Sequence, residues 1–222
     1  MTSDDYYSGR RAAEEYEYIS ADALDSAVYL LPVLQAALAV HAPPPRRMLD
    51  IGCGNGSLTA ALHTPGSFTV GIEASESGLQ SARAAFPQLE LVCHNINEAL
   101  PQELVRSFDI VLCAEVIEHL LLPRNLFARA SEALSDAGLL LVTTPYHGYI
   151  KNLALATVNG FDRHWRPGWD YGHVKFFSRK TLGDLAIECG FEVVQWHLVG
   201  RIPALAKSMV LVARRSHRRD LA

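Results

Sequence analysis

The chain is poor in the features that mark several large protein classes. Of its 222 residues only four are cysteine, Cys53, Cys93, Cys113 and Cys189, and no two form a CxxC pair. That spacing suggests neither a zinc cluster nor a disulfide framework. The four read as small buried apolar side chains in a reducing cytoplasm. No apolar run approaches the roughly 20 residues needed to span a bilayer, so no transmembrane segment is expected. The first residues carry Asp4 and Asp5 and lack an apolar core, so no signal peptide is expected and the chain is read as cytoplasmic. Positive charge is not in excess: 20 Lys and Arg face 24 Asp and Glu, for a net charge of -4. Nucleic acid is therefore not the default partner. Internal repeats are absent.

What is present suits a single α/β domain with a real core: 24.4 kDa, 49% hydrophobic and 20% charged. Residues 1–45 differ from the rest and read as an N-terminal helical leader or cap, ahead of one domain over 46–222. Tyr6, Tyr7, Tyr16 and Tyr18 lie among acids, as a flap over a site or as an ordinary docked or frayed terminus. Leu24, Val28, Leu31 and Leu34 recur at helical spacing, with a kink expected at Pro32 and an end at Pro43-Pro44-Pro45. From residue 46, strands and helices alternate, which argues for a parallel sheet. Strands are expected over 46–51, 68–73, 89–93, 108–113 and 139–143, and two more over 191–198 and 208–214. Phe108 to Cys113 is apolar enough to be a central strand buried on both faces. A turn is expected at Ser135-Asp136-Ala137-Gly138, and Ser178 and Gly190 bracket a helix as N-cap and C′ glycine.

The most informative stretch is Met48-Leu49-Asp50-Ile51-Gly52-Cys53-Gly54-Asn55-Gly56-Ser57-Leu58, an apolar strand, a glycine-rich turn and a helix start. Glycine permits positive φ and close approach of a ligand. Such a turn after the first parallel strand is where nucleotide-like cofactors bind. Glu73 ends the next strand, placed to accept from a ribose diol. Asp50 bears on which cofactor. A pyrophosphate favours a helix N-terminus, and Asp50 would repel it, whereas an ammonium and a sulfonium would gain from the same carboxylate. A nicotinamide site and a turn that binds nothing are the alternatives. Leu49 to Gly56 resembles the first motif of the class I S-adenosylmethionine-dependent methyltransferases.

The resemblance covers about residues 46–214. It implies a Rossmann-like α/β fold: a seven-stranded, mostly parallel sheet with helices on both faces and an antiparallel last strand. It further implies S-adenosyl-L-methionine as cofactor, with Gly52, Gly54 and Gly56 under its methionine part, Asp50 facing the ammonium and Glu73 on the ribose. Asn95 stands where such families often carry an aspartate for the adenine amino group, and an amide oxygen can still accept there.

After the central strand, Glu115, Glu118 and His119 are spaced so that one helical turn would bring all three to one face, a plausible site for Mg²⁺, Mn²⁺ or Zn²⁺. The bland alternative is a metal-free pattern in which Glu115 sits near the methyl donor and His119 braces the loop. The run Glu115 to Leu120, with Thr144-Pro145 and His173 to Ser178, resembles the UbiG-type O-methyltransferases. It also resembles small-RNA 2′-O-methyltransferases, in which two glutamates and two histidines hold a metal; that likeness makes His173 the fourth ligand. The catalytic candidates are Glu115, His119, His147 and His173, with an imidazole as general base if no metal is bound.

An aromatic and histidine-rich insert over about 145–177 is expected to form the acceptor pocket, with Trp165 and Trp169 as walls. Within it, Ile150 to Val158 is apolar enough for a short helix that packs down, or that meets a membrane or a second copy of the chain as a homodimer. Arg214, Arg215, Arg218 and Arg219 form a solvated tail or an anion contact. The leading expectation is O-methylation of a phenolic, catechol-like or vicinal hydroxyl on a small molecule. RNA 3′-terminal 2′-O-methylation, small-molecule N-methylation and a non-catalytic binding fold are the alternatives.

Overall fold

The computed structural model describes Tyr18, Asp22 and residues 25–165, 168–169 and 172–216. Tyr6, Tyr7, Tyr16 and Leu24 of the leader, Tyr171 of the insert and the tail from His217 onward lie outside the described residues.

Seven strands form one sheet: β1 (Arg47–Ile51), β2 (Phe68–Glu73), β3 (Glu90–Cys93), β4 (Phe108–Ala114), β5 (Leu134–Pro145), β6 (Phe191–Val199) and β7 (Ser208–Arg215). Their order is β3-β2-β1-β4-β5-β7-β6. Strands β1 to β5 pair in parallel, and β7 runs antiparallel between β5 and β6. Parallel neighbours need a crossover, which the intervening helices supply. Residues 200–207, with only a short turn over Pro203–Leu205, are too few to cross over, so β7 must return beside β6.

The helices are α1 (Ala27–His41), α2 (Ser57–Leu62), α3 (Glu76–Ala85), α4 (Arg124–Ala133), α5 (Tyr149–Thr157), α6 (Phe161–Trp165) and α7 (Arg179–Glu188). One face of the sheet, including Leu49, Val111, Leu140 and Leu211, is covered by Leu126, Phe127 and Ala130 of α4 and Leu182 and Ala186 of α7. The other face, including Met48, Ile110, Leu112 and Val212, takes Leu30, Leu34 and Leu38 of α1 and Leu62 of α2. β4 lies in the middle of the sheet, and Ile110 through Cys113 are all buried, as a strand covered on both sides requires. At α7, Ser178 Oγ accepts from Thr181 N while Thr181 Oγ1 accepts from Ser178 N, and Gly190 follows the helix at φ +84°.

Two expectations need correction. The buried stripe of α1 is Leu30, Leu34, Ala37 and Leu38, whereas Val28 is 83% exposed. Nearly every position of this helix is apolar, so spacing alone could not choose the face that the sheet would cover. Secondly, β5 begins before the expected turn: Phe108 pairs with Leu134, then Ile110 with Leu139. Ser135 to Gly138 bulge out of the ladder between those pairs. The short helix α6 was not anticipated.

Because Leu34 is fully buried against the sheet, Leu34→Ala is expected to cost about 2–5 kcal/mol in urea unfolding. A loss below about 1 kcal/mol would show that α1 is a detachable leader rather than part of the core.

Candidate active site

The turn after β1 is built by backbone. Gly52 N and Cys53 N both donate to Ile72 O, at 2.8 and 3.1 Å, and Gly56 N donates to Cys53 O at 2.9 Å. Gly52 and Gly54 hold φ +77° and +55°. A Cβ on Gly52 would lie 2.6 Å from a Val116 methyl, and one on Gly54 would lie 2.6 Å from the Tyr18 hydroxyl. Gly56, also at positive φ, flanks the N-terminus of α2. Gly54 N donates to Glu73 Oε2 at 2.9 Å, and Glu73 Oε1 accepts from Ala74 N and Ser75 N at 2.8 and 2.9 Å. Burial raises the Glu73 pKa, and these three N–H groups oppose that rise.

A cavity of about 1070 Å³ opens over the carboxyl edge of the sheet, where the strand order reverses between β1 and β4. That is at the upper end for small-molecule sites and leaves room for a cofactor and an acceptor. One end is lined by Gly52, Ile72, Glu73, His94, Ile96 and Asn97. The other is lined by Glu115, Glu118, His119, Lys151, Trp169 and His173, among others. Tyr18 and Tyr29 also line it.

Asp50 lies beneath the turn, 2% exposed and outside the cavity lining. Its Oδ2 accepts from Thr59 Oγ1, while its buried Oδ1 has no hydrogen-bond partner among the described residues. Burial, and next the Glu73 charge, push its pKa up to about 7 against the Thr59 hydrogen bond. Asn95 also stays outside the lining. Its Oδ1 accepts from Asn97 N and Nδ2, both at 3.0 Å, an Asx turn that presents His94, Ile96 and Asn97 instead.

The expected three-ligand helical face does not form. Glu115 sits at φ +56°, and only Ile117–His119 make a short 3₁₀ turn. Glu115 is turned to β5 and β7: its Oε1 accepts from Thr143 Oγ1 at 2.8 Å and its Oε2 from Ser208 Oγ at 3.2 Å. Burial raises its pKa to about 7. Glu118, His119 and His173 do converge, with ligand atoms within 4.8 Å of one another. His173 is delivered by the insert, because Val174 N and Lys175 N both donate to Glu118 O at 2.9 Å. Glu118 Oε2 accepts from Thr144 Oγ1 at 2.9 Å, and its buried Oε1, 4.0 Å from His173 Nε2, has no hydrogen-bond partner among the described residues. Burial, then Glu115, raise the Glu118 pKa, and burial, then His119, lower that of His173 to about 4.

Two other expected residues lie apart from the cavity. His147 is buried beside His164 and Phe176, at ring distances of 5.4 and 5.0 Å, and does not line it. Trp165 packs at a tilt against Phe161 and Phe176, whereas Trp169 does reach the cavity. Lys151 was missed. It is buried on α5, and burial, followed by Arg201, lowers its pKa to about 8. A lone cation in the mostly apolar stretch from Ile150 to Val158 was the available signal.

The family profile described as a methyltransferase domain matches residues 23–196. The chain belongs to the class I S-adenosylmethionine-dependent methyltransferases. Among curated relatives of this methyltransferase, the ubiquinone biosynthesis O-methyltransferase of Ruegeria pomeroyi is 34% identical over 152 residues, 67% of this chain and 60% of that one. The enzyme of the same name from a Bradyrhizobium species is 33% identical over 61% of this chain and 54% of its own. The chain thus spans little more than half the length of these relatives. Similar solved structures include magnesium protoporphyrin IX methyltransferase from Synechocystis with bound SAH, at TM-score 0.65 and 17% identity, covering 84% of this chain and 82% of that one. Another is 1,6-didemethyltoxoflavin-N1-methyltransferase from Burkholderia thailandensis, at TM-score 0.62 and 18% identity over 82% and 76%. At such identities the likeness establishes the fold. Among the described residues no helix is long and apolar enough to cross a membrane.

The Asp50 shift has a stability consequence. Its folded pKa, about 7, lies above the ordinary 3.8, so the folded state holds the proton more tightly and stability is lost as pH rises from about 4 to 7. Asp50→Asn should therefore gain stability over the parent in ligand-free protein above pH 7, with a ceiling of about 4 kcal/mol. Little gain is expected at pH 4. Thermal unfolding across that range checks it; a gap independent of pH would refute the buried charge.

Proposed function

We propose that this chain transfers the methyl group of S-adenosyl-L-methionine to a hydroxyl of a small phenolic, catechol-like or vicinal-diol acceptor. The observation that carries the reading is the single cavity, which joins a glycine turn and carboxylate at one end to buried carboxylates and imidazoles at the other. The relatives named as ubiquinone biosynthesis O-methyltransferases support oxygen as the acceptor atom.

When bound, the cofactor supplies a methyl group on a positively charged sulfur. Gly52, Gly54 and Gly56 would let the backbone lie close beneath it, and the unpartnered Oδ1 of Asp50 supports a role in holding its ammonium, through water since Asp50 is not in the lining. Glu73 keeps acceptor capacity beyond its three N–H partners for a ribose hydroxyl. Asn97 and His94 replace Asn95 as candidates for the adenine end.

At the acceptor end, Glu115 is the candidate proton acceptor. With a pKa of about 7, and facing Glu118, Lys151, Thr143 and Ser208, it can take a hydroxyl proton near neutral pH. Glu118, His119 and His173 fit a divalent metal: one carboxylate oxygen has no hydrogen-bond partner, and His173 is neutral with a lone pair free at pH 7. One oxygen and two nitrogens suit Zn²⁺ or Mn²⁺ better than Mg²⁺. A metal there would lower the proton affinity of an acceptor oxygen. His119 and His173 are the imidazole bases if no metal is used; His147, outside the lining, is withdrawn from that role. We further propose a cytoplasmic setting, a small-molecule partner rather than nucleic acid at a net charge of -4, and a homodimer through exposed Tyr149, Ile150 and Leu153.

Incubation of catechols, phenols, amines and short RNAs with labelled methyl donor tests the reading. Labelled catechols or phenols are the expected product, and labelled amines or RNA alone would overturn it. Glu115→Gln should lower kcat by about 10²-fold or more, and kcat of the parent should rise with pH through about 7 as Glu115 ionises. Activity unaffected by EDTA and by His173→Ala would eliminate the metal.

A further inference from the structure

The acceptor end of the cavity also gathers three cations, Lys151, Arg201 and Lys207. Lys151 is only 7% exposed, and its ammonium makes one hydrogen bond, to Lys207 O at 3.3 Å. An ammonium carries three donors, so two find no hydrogen-bond partner among the described residues. Among the described residues no acidic side chain forms an ion pair with any of the three. The Glu115 carboxylate, whose charge opposes the lowering of the Lys151 pKa, already accepts from Thr143 and Ser208. Lys207 lies 5.1 Å from the Tyr29 ring centroid, and Arg201 follows β6 beyond Gly200.

Burying an ammonium that makes no direct ion pair among the described residues is costly, and the like charge of Arg201 adds to the cost. An anion between the three would relieve both. We infer that this end of the cavity is a subsite for an anionic substituent, a carboxylate or a phosphate, carried by the methyl acceptor and held by Lys151, Arg201 and Lys207. The wall beside them is apolar, formed by Ala154, Leu155, Val158 and Leu205. The acceptor class is thus an anionic amphiphile with a greasy or aromatic body. His164 is consistent with this field: burial, then Lys151 and Arg201, lower its pKa, so a further positive charge there is disfavoured. The inference rests on the reading of the cavity as a methyl-transfer site.

The test is calorimetric titration of the full chain saturated with S-adenosylhomocysteine. The probes are a catechol carboxylate, its neutral carboxamide and the matching phosphonate. The carboxylate is expected to bind at least roughly tenfold more tightly than the carboxamide, as charge-assisted hydrogen bonds would give. In Arg201→Gln, an exposed turn position where folding is not at risk, that preference should fall by about tenfold and return in Arg201→Lys. A phosphonate tighter than the carboxylate supports the subsite and assigns phosphate as its natural anion. Equal affinity for carboxylate and carboxamide, or a preference untouched by Arg201→Gln, overturns the subsite. If the preference holds but no probe accepts a labelled methyl group, the methyl-transfer reading falls while the anion subsite stands.

Discussion

The hydrogen bond from the Gly54 N–H to the Glu73 carboxylate ties the bend after β1 to the end of β2, and the donation of Gly52 and Cys53 to Ile72 O fastens the same bend a second time. A chain at positive φ on three alternate glycines would otherwise be the softest part of the sheet edge. Pinned in this way, it forms a firm floor for one end of the cavity and sets the start of α2. It also buries Asp50 beneath it, with one oxygen given to Thr59 and the other left over. The cost of that burial is a stored preference for a positive group above.

The same logic of uncompensated charge runs along the rest of the cavity. Glu115 is held by hydroxyls of β5 and β7, and Glu118 by a hydroxyl of β5, each at an end of a strand and each disfavoured as an anion by burial. Beyond them, α5 and the turn after β6 bring lysines and an arginine. A small polar cluster of this kind is tolerated because the sheet below it is covered on both faces by apolar side chains.

Much of the fold was legible in the sequence because strands covered on both sides, such as Phe108 to Ala114, must be almost wholly apolar, and because the bend after β1 carries glycine at each of its positive-φ positions. Ser178 and Gly190 marked the limits of α7 for local reasons: a hydroxyl that satisfies a free N–H and a residue without Cβ at the exit. The face of α1 was not legible. A helix apolar on most sides is oriented by what it meets, and Val28 lost to Leu30 through packing alone.

For the candidate site, residue types and short spacings in the chain determined the strand, the glycine bend and an acidic residue at the end of the next strand, since backbone geometry there is local. They could not determine which side chains would share a cavity. Glu115 parted from Glu118 and His119 because a single residue at φ +56° replaced a helical turn, and His173 joined them because two backbone N–H groups of a distant loop found the Glu118 carbonyl. Asn95 turned aside to satisfy Asn97, and Lys151 turned in from a helix that reads as apolar filler. Those outcomes belong to the tertiary structure, because they depend on where hydrogen-bond donors and buried charge from separate segments could be satisfied together.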